Sequence, residues 1–378
     1  MNNAHPKVVV IQRYFVNFRE GIFDCLQSMG LDFKILTSTK SRGRITVHQD
    51  KVESVDYIIE PAHFNINDGI VVFPFLFLSL LRLKPQVIVT GGGQNTINNI
   101  QVRLYCWLAG KNYIVWDLGK GYQDFGNSLG RRIYMQYYKR VLNGAALIYG
   151  YNSGSRRYFE SLGVPSEKIV VLNNTADTVL LKNVIERSSK ELPADMATRY
   201  DPNKKYIIFV VSLLPTKRIE DFKEIMTCLK GEYTLLIVGS GQEAYTQSLK
   251  QLFKEIDCVF LGYKKPEELL PYYSISSFCM LPGLGGLSIN QAMAYGLPVL
   301  CTHADGAEED IVKEDETGYI YKDIDDAVRY IHSKTEEDWK RMGKNAQELM
   351  FGEFSLEKEC ERFVEGIKSV TFSAISAR

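Results

Sequence analysis

Three glycines between an apolar segment and a helical segment form the part of this chain best suited to bind an anion. Gly283, Gly285 and Gly286 follow the apolar residues 277–281, and a helix is predicted to begin at Ser288, whose hydroxyl can cap it. Glycine lets a ligand approach the backbone closely. The first turn of a helix adds N–H groups without intrahelical partners and the positive end of the helix dipole. The pattern therefore predicts an anion-binding turn between a strand and a helix.

Short apolar runs alternate with helical segments along the whole chain and would position this turn. The runs that we interpret as parallel strands are 7–12, 33–37, 57–60, 86–90, 113–117, 145–149, 168–172, 206–211, 235–238, 258–261, 277–281 and 298–301. Strands that alternate with helices favour an α/β fold with a parallel sheet. At 378 residues the chain is long for a single hydrophobic core, so two domains are expected.

Composition and charge argue against several classes of protein. The formal net charge is zero, which disfavours a broad nucleic-acid-binding surface. The seven cysteines form no C-x-x-C pair and no spacing typical of zinc ligands, so we expect reduced thiols, no metal site and a cytoplasmic protein. Residues 1–6 are too few and too polar for a signal peptide, and no apolar run reaches the ~20 residues that cross a bilayer.

The most apolar segment, 70–83, allows two interpretations. In the first it is a helix buried between parallel strands, with Pro74 in its first turns. In the second its apolar face rests on a membrane that carries a lipid-linked acceptor. The near absence of a polar face favours the buried helix, for which replacing Phe75 or Phe77 by Asp should unfold the protein.

The glycine turn and the helix after it resemble the nucleotide-sugar site of GT-B glycosyltransferases, especially the large retaining family 4 (glycosyl transferases group 1). The family's A-M-A-x-G-x-P-V is matched by Ala292, Met293, Ala294, Gly296, Pro298 and Val299. The two glutamates of the family's motif are replaced, the first by Gly283 and the second by Gln291. The resemblance implies that Gln291 binds the donor ribose, whereas Gly283 has no side chain with which to contact the transferred sugar. Ser288 and Gln291 are also spaced as a helix capping box, so Gln291 has two candidate roles.

A second motif of the family follows the strand predicted at 206–211. Residues 212–218 resemble its G-R-L-x-P-x-K-G, and Lys217 stands at the lysine that holds the donor diphosphate. Ser212 replaces the arginine that usually assists this lysine, and Arg218 replaces a glycine. The resemblance implies that Lys217 stabilises the leaving diphosphate, while Arg218 either supplies the missing charge or lies in solvent.

Further matches extend the implied donor site. Gly239 and Gly241 match the family's V-G-x-G-P, and Tyr263 lies in the loop whose backbone usually binds the base. The implied donor-binding residues are Ser212, Gly239, Gly241, Tyr263, Lys264, Gly283, Leu284, Gly285, Gly286, Leu287, Ser288 and Gln291. The donor would be a UDP- or GDP-linked sugar, and no other cofactor is implied.

The first half of the chain matches the family loosely and would bind the acceptor. Arg13 and Tyr14 follow the first strand, and Gly92 and Gly93 follow a later one, where open α/β sheets bind ligands. Asp117 ends another strand, one residue beyond the place of a sugar-contacting histidine in the family. Asp117 is therefore either a contact to the reacting groups, and the base of an inverting enzyme, or a cap of the next element.

The resemblance implies an α/β protein of the GT-B fold, with two Rossmann-like domains facing a central cleft. The expected parts are an acceptor-binding domain at 1–177, a connection at 178–203, a donor-binding domain at 204–354 and a final helix at 355–378 that can cross back to the first domain. The implied activity is transfer of a sugar to a glycan or lipid-linked acceptor in polysaccharide, lipopolysaccharide or capsule biosynthesis, with retention and without a metal. The alternatives are an inverting GT-B transferase, a UDP-sugar epimerase, or a non-catalytic sugar-nucleotide-binding protein of a polysaccharide assembly complex. We expect a cytoplasmic protein without a nucleic-acid partner, peripheral to the inner face of the membrane if segment 70–83 faces lipid.

Overall fold

The computed structural model describes residues 7–16, 19–38, 58–67, 70–119, 129–304 and 306–376, without the side chains of residues 94, 195 and 372–376. These residues form two units. The first runs to Asn174 and includes the final helix, and the second runs from Thr175 to Ser355. Residues 1–6 and the start of the strand expected at 57–60 lie outside the described part of the chain.

A seven-stranded parallel sheet forms the centre of the first unit, accompanied by a separate antiparallel hairpin of β4 and β5. The strands are β1 (Val8–Tyr14), β2 (Phe33–Ser38), β3 (Ile58–Ile59), β4 (Phe64–Asn67), β5 (Ile70–Val72), β6 (Val87–Gly91), β7 (Asn112–Asp117), β8 (Leu147–Gly150) and β9 (Ile169–Val171). The sheet order is β3-β2-β1-β6-β7-β8-β9. Residues 8–11 of β1 are fully buried, as expected for an apolar run in the middle of a parallel sheet.

Helices cover both faces of this sheet. They are α1 (Glu20–Ser28), α2 (Leu76–Leu83), α3 (Thr96–Ala109), α4 (Leu129–Gly144), α5 (Ser153–Ser161) and, from the end of the chain, α15 (Leu356–Ser376). One core lies between the sheet and the pair α1 and α15, where Phe23 and Phe363 are fully buried. The other core lies under α2, α3 and α4, where Leu80, Val102 and Leu142 are fully buried. Both faces of the sheet are thereby removed from water.

A six-stranded parallel sheet forms the centre of the second unit, in the order β12-β11-β10-β13-β14-β15. The strands are β10 (Lys205–Val210), β11 (Tyr233–Val238), β12 (Cys258–Gly262), β13 (Phe278–Leu281), β14 (Val299–Cys301) and β15 (Gly318–Ile320). The helices are α6 (Thr178–Arg187), α7 (Ala194–Ala197), α8 (Phe222–Cys228), α9 (Glu243–Leu252), α10 (Pro266–Ile275), α11 (Leu287–Ala294), α12 (Glu308–Ile311), α13 (Ile324–His332) and α14 (Glu336–Phe351). The α/β class expected from the alternating pattern is confirmed in both units.

The apolar segment 70–83 is not one buried helix, so that interpretation was wrong. Its first residues form β5, and α2 begins only after Pro74, because a proline biases the residue before it away from helical geometry. Helix α2 buries Leu76 and Leu80, but Phe75 is exposed. An Asp at position 75 would therefore remain in water. Among the described residues, no helix combines the length and the hydropathy needed to cross a membrane.

The segment 178–203, expected to connect the domains, is part of the second unit. Helices α6 and α7 place Leu181, Val184 and Met196 in the hydrophobic core of that unit. The two apolar residues of α6 are three positions apart, which puts them on one face of a helix. This apolar face was not recognised in the sequence, because polar residues surround the two apolar ones.

Candidate functional site

The strand order of the second sheet changes direction between β10 and β13. The chain leaves β10 towards β11 on one side and leaves β13 towards β14 on the other. The loops after these two strands diverge and leave a crevice at the carboxyl edge, which is where open α/β sheets bind ligands. The loops are 211–218 and 282–286, and both carry motif residues found in the sequence.

These two loops contact one another through their backbones. The N–H of Leu284 donates to the carbonyl oxygen of Thr216 at 3.3 Å. A Cβ atom at Gly283 would lie 2.5 Å from that oxygen and 2.7 Å from the carbonyl carbon of Lys217. Both neighbours are backbone atoms, so a side chain fits only if a loop moves. The glycine at 283 is therefore required by the packing of one loop against the other.

Lys217 lies at the end of a short 3-10 turn, Pro215–Lys217, and reaches across to the second loop. Its N–H donates to the carbonyl of Leu214 at 2.9 Å, which closes the turn. Its ammonium group donates to the carbonyl of Leu284. This contact holds a positive charge beside the glycine turn that precedes α11. The structure thus brings Lys217, Gly283 and Leu284 together at one strand edge.

Arg218 follows Lys217 but differs from it in backbone conformation and in the partner of its side chain. Its φ of 53° lies in the left-handed region, where glycine is favoured. This conformation accounts for a glycine at the same place in the resembled motif. The Arg218 guanidinium lies 2.6 Å from the carboxylate of Asp221, and about half of the side chain is exposed. Its charge is therefore directed to a neighbouring carboxylate.

The glycines after β11 are required by close packing against the loop after β10. The N–H of Leu213 donates to the carbonyl of Ser240 at 2.9 Å, and Leu213 and Gly241 form a parallel bridge. A Cβ atom at Gly239 would overlap the carbonyl of Val211. Gly239 also has a φ of 140°, which few other residues adopt. These contacts fix the loop that contains Ser212 at the carboxyl edge.

Tyr263 and Lys264 begin the loop after β12. The backbone links this loop to the previous one, since the N–H of Gly239 donates to the carbonyl of Gly262 at 2.8 Å. The Tyr263 side chain is exposed, and the Lys264 ammonium lies 5.8 Å from the centre of the Tyr272 ring. This backbone contact thus places the start of the loop after β12 beside the loop that contains Gly239 and Gly241.

Helix α11 begins one residue earlier than predicted, and the predicted capping box is wrong. Its N-cap is Gly286, with a φ of 56°, and no side chain makes a capping hydrogen bond. Leu287 is the first helical residue, so Ser288 lies inside the first turn instead of at the cap. Gln291 is half-buried and is not used by the cap. The capping role is therefore wrong, and the contact to the donor ribose stays a prediction.

Glu308 was not singled out in the sequence, yet it braces the loop after β14. It is 1% exposed, and its carboxylate accepts hydrogen bonds from the N–H groups of Ala304 at 2.6 Å and Gly306 at 3.1 Å. His303 and Glu309 lie near it and complete a group with metal-ligand geometry. The Glu308 oxygens already accept backbone hydrogen bonds and His303 is mostly exposed, so we assign no metal to this group. No spacing signal distinguished Glu308 within its acidic run.

Asp117 forms hydrogen bonds with two loops at the carboxyl edge of the first sheet. Its carboxylate accepts hydrogen bonds from the N–H of Gly93 at 2.8 Å, the N–H of Gly119 at 3.1 Å and the hydroxyl of Tyr138 at 3.1 Å. A Cβ atom at Gly92 would overlap the same carboxylate. Burial raises the pKa of Asp117, and the N–H donors of Gly119 and Gly93 oppose that shift. Asp117 therefore contacts Gly92 and Gly93 as a brace between loops.

Arg13 and Tyr14 are the last residues of β1 and do not form the loop after it. Tyr14 is buried in the core under α2 and α3, while Arg13 is half-buried. The neighbouring strand β6 leads to Gly92 and Gly93, and the side-chain amide of Asn95 donates to a carbonyl of β1 at 3.3 Å. The first sheet reverses its order between β1 and β6, so these residues share its switch point.

Arg19, near the carboxyl edge of the first sheet, stacks on aromatic rings. This interaction was not recognised in the sequence. The Arg19 guanidinium carbon lies 4.2 Å from the centre of the Trp116 ring, and Arg19 donates to the hydroxyl of Tyr151. Trp116 is buried, and its indole N–H has no acceptor among the described residues. Trp116 and Tyr151 come from β7 and from the residue after β8, so only the folded sheet brings them to Arg19.

A family model and several curated proteins are similar to part of this chain. Residues 195–349 match the model of the family described as Glycosyl transferases group 1. Sulfoquinovosyl transferase SQD2 of Arabidopsis thaliana is 30% identical over 158 residues, which are 39% of this chain and 30% of that protein. The lipopolysaccharide 1,2-N-acetylglucosaminetransferase of Salmonella typhimurium is 26% identical over 171 residues, which are 40% of this chain and 44% of that protein. The chain spans about half or less of the length of the curated relatives it matches.

Solved structures resemble the chain over nearly its whole length. Anabaena Alr3699/HepE in complex with UDP covers 96% of this chain and 100% of its own, with a TM-score of 0.71 and 14% identity. A glycosyltransferase from Rickettsia africae covers 97% and 98%, with a TM-score of 0.74 and 15% identity. At such identities the likeness shows the fold, which is the GT-B fold with two Rossmann-like units. The family match and these neighbours together support a relation to the glycosyl transferases group 1 family.

Proposed function

We propose that this protein is a glycosyltransferase that moves a sugar from a nucleoside-diphosphate sugar to a glycan or lipid-linked acceptor in cytoplasmic polysaccharide, lipopolysaccharide or capsule biosynthesis. The observation that carries the proposal is the loop contact at the switch point of the second sheet, where the Lys217 ammonium is held at Leu284 beside the glycine turn. This arrangement lies within residues 195–349, which match the family. The relatives named as sugar transferases support the same reaction class.

The proposed chemistry follows from the charge that develops as the donor is cleaved. The diphosphate gains negative charge when its bond to the sugar breaks, and fixed positive groups around it lower the barrier. Lys217 supplies one such charge, and the amino-terminal end of α11 supplies the positive end of a helix dipole. We propose a reaction without a metal because the chain itself provides these groups, and retention as in the resembled family.

The remaining roles follow from position. Gln291, half-buried in α11, can both donate and accept hydrogen bonds, which suits a ribose with its hydroxyl groups. We favour UDP as the donor nucleotide, because a solved neighbour of the same fold is described as a complex with UDP. Arg13, Gly92 and Gly93 at the switch point of the first sheet are the proposed acceptor contacts.

A second candidate is a non-catalytic sugar-nucleotide-binding protein. Gly283 favours it, because the carboxylate that the family places there is absent and the loop contact leaves no room for one. Such a protein would bind the nucleotide but would not transfer the sugar. The two proposals therefore differ in whether transferred product is formed.

Thermal unfolding with UDP, GDP, ADP, CMP and NAD tests the donor site first. A ligand at 100 times its Kd stabilises a protein by ~2.7 kcal/mol, so UDP or GDP should raise the melting temperature clearly. Stabilisation by NAD with no effect of any nucleoside diphosphate contradicts the donor site. Transfer from radiolabelled UDP-sugars to extracted glycan or lipid acceptors then separates the enzyme from the binder, since the binder shows the thermal shift without product.

A further inference from the structure

Helices α2 and α3 lie side by side on one face of the first sheet. The N–H of Phe77 donates to the side chain of Gln101 at 3.0 Å, and the Gln101 amide donates back to the carbonyl of Phe73 at 2.9 Å. The rings of Phe77 and Tyr105 meet edge to face, with centroids 6.3 Å apart. The inward sides of both helices are buried in the core under them. The two helices thus present a continuous outer surface, which we call the α2–α3 face.

The α2–α3 face is apolar along both helices. Its exposed large side chains are Phe75 at the N-cap of α2, Leu78 and Leu81 on α2, and Ile97, Ile100, Leu104, Trp107 and Leu108 on α3. Trp107 is 78% exposed and Phe75 is 60% exposed. On α3 these residues recur every three or four positions, which forms one stripe of a helix. Single exposed apolar residues are normal, but adjacent stripes of this size mark an interaction surface.

The segment that carries the α2–α3 face has charged residues of one sign only. No Asp or Glu occurs between Asp68 and Asp117, whereas the segment contains Arg82, Lys84, Arg103 and Lys111. Arg82 and Lys84 are exposed at the end of α2, beside the apolar stripe. The formal net charge of the whole chain is zero, so this excess of positive charge is local. The partner of the face should therefore be apolar and negatively charged.

We propose that the α2–α3 face docks on the surface of an anionic phospholipid bilayer, with both helices lying in the plane of the interface. Helices that lie in a membrane interface combine Trp and Leu on one side with Lys and Arg near the lipid headgroups. An exposed tryptophan on an apolar surface, as Trp107 is, suits the boundary between acyl chains and water. The basic residues complement the negative potential of anionic lipids. This inference rests on the first unit alone and does not depend on transfer activity.

Co-sedimentation of the full chain with vesicles tests the proposal. Binding should be strong to vesicles of phosphatidylcholine with phosphatidylglycerol, weak to pure phosphatidylcholine, and weaker at 0.5 M salt than at low salt, because salt screens the electrostatic attraction. The Trp107→Glu variant should bind anionic vesicles at least tenfold more weakly, because it removes apolar area and adds a negative charge. Val179→Glu changes an exposed apolar residue of the second unit in the same way and should bind like the parent.

Two further variants keep the test independent of any one substitution. Phe75→Asp changes the exposed N-cap residue of α2 and should also weaken binding. The pair Arg82→Gln and Lys84→Gln should weaken binding by roughly fivefold for each charge removed, whereas Lys344→Gln, exposed on α14, should have no effect. Melting temperatures close to that of the parent show that the variants are folded.

Three results would overturn the proposal. The first is equal binding to neutral and anionic vesicles. The second is unchanged binding of folded Trp107→Glu and Phe75→Asp variants. The third is a concentration-dependent dimer in sedimentation velocity that Trp107→Glu abolishes, because the α2–α3 face would then bind a second copy of the chain.

Discussion

Gly283 offers the sharpest test of how the two loops of the second sheet are built. Replacing it by alanine adds one carbon atom 2.5 Å from the Thr216 carbonyl oxygen and 2.7 Å from the Lys217 carbonyl carbon. The φ angle of Gly283 is not positive, so the cost is steric and does not come from the backbone conformation. Because backbone cannot turn away as a side chain can, we expect a loss of about 1–3 kcal/mol, the usual range for overpacking.

The assay is thermal unfolding, followed by activity. A domain of this size loses about 2–4 °C for each kcal/mol, so Gly283→Ala should melt about 2–12 °C below the parent. Gly285→Ala is the matched control in the same turn, because its Cβ would meet side-chain atoms of Ile289, the nearest at 2.7 Å, and no backbone atom is among its three nearest neighbours. Gly285→Ala should therefore lower the free energy of unfolding less than Gly283→Ala does. The displaced loop also carries Lys217, so Gly283→Ala should lower turnover. A Gly283→Ala variant that melts within about 1 °C of the parent would refute the reasoning.

The remaining predictions concern three charged residues. Lys217→Ala should fold normally and lose roughly a hundred- to a thousandfold in kcat, the usual effect of removing one donor at a developing anion; steady-state kinetics checks this, and activity within threefold of the parent would remove Lys217 from the site. Arg218→Ala should lose much less, because Asp221 already pairs with its charge. Asp117→Asn should destabilise the first unit by about 1–3 kcal/mol, because an amide cannot accept all three hydrogen bonds. Burial raises the pKa of Asp117 above its ordinary 3.8, so the folded state holds the proton more tightly. The stability contributed by this group is thus present below pH 3.8 and is lost as the pH rises through the raised pKa. The difference in melting temperature between parent and Asp117→Asn should shrink over that window, and a difference that grows with pH would contradict the raised pKa.

The strands were predictable because their signal is local. The apolar runs at 277–281 and 298–301 correspond to β13 and β14, each of which begins one residue later than predicted. The prediction succeeded because buried parallel strands are continuous apolar runs. The hairpin of β4 and β5 was missed, because its first strand, Phe64–Asn67, contains two asparagines and does not resemble a buried strand. The cap of α11 was missed because Gly286 adopts a positive φ that places the helix start one residue earlier.

The candidate site was predictable only where a motif named its residues. Lys217 and the glycine turn were found from short patterns, and the structure brings them together. Their contact joins residues far apart in the chain, so no local pattern predicted that Leu284 holds the Lys217 ammonium. Arg19 was missed for the same reason, since its aromatic partners Trp116 and Tyr151 come from separate elements of the sheet.

The absence of a side chain at Gly283 and the position of Lys217 are linked through one contact between the two loops. With no side chain at Gly283, the turn approaches the neighbouring loop closely enough for the Leu284 N–H to reach the Thr216 carbonyl and for the Lys217 ammonium to reach the Leu284 carbonyl. A glutamate at 283 is incompatible with that contact, because its Cβ would lie against backbone atoms. Position 283 therefore offers no carboxylate to accept hydrogen bonds from a sugar hydroxyl, while the Lys217 ammonium lies beside the turn. We therefore expect recognition at this edge to depend on the anionic diphosphate more than on the hydroxyl groups of the sugar, because the Leu284 carbonyl is already bound to Lys217.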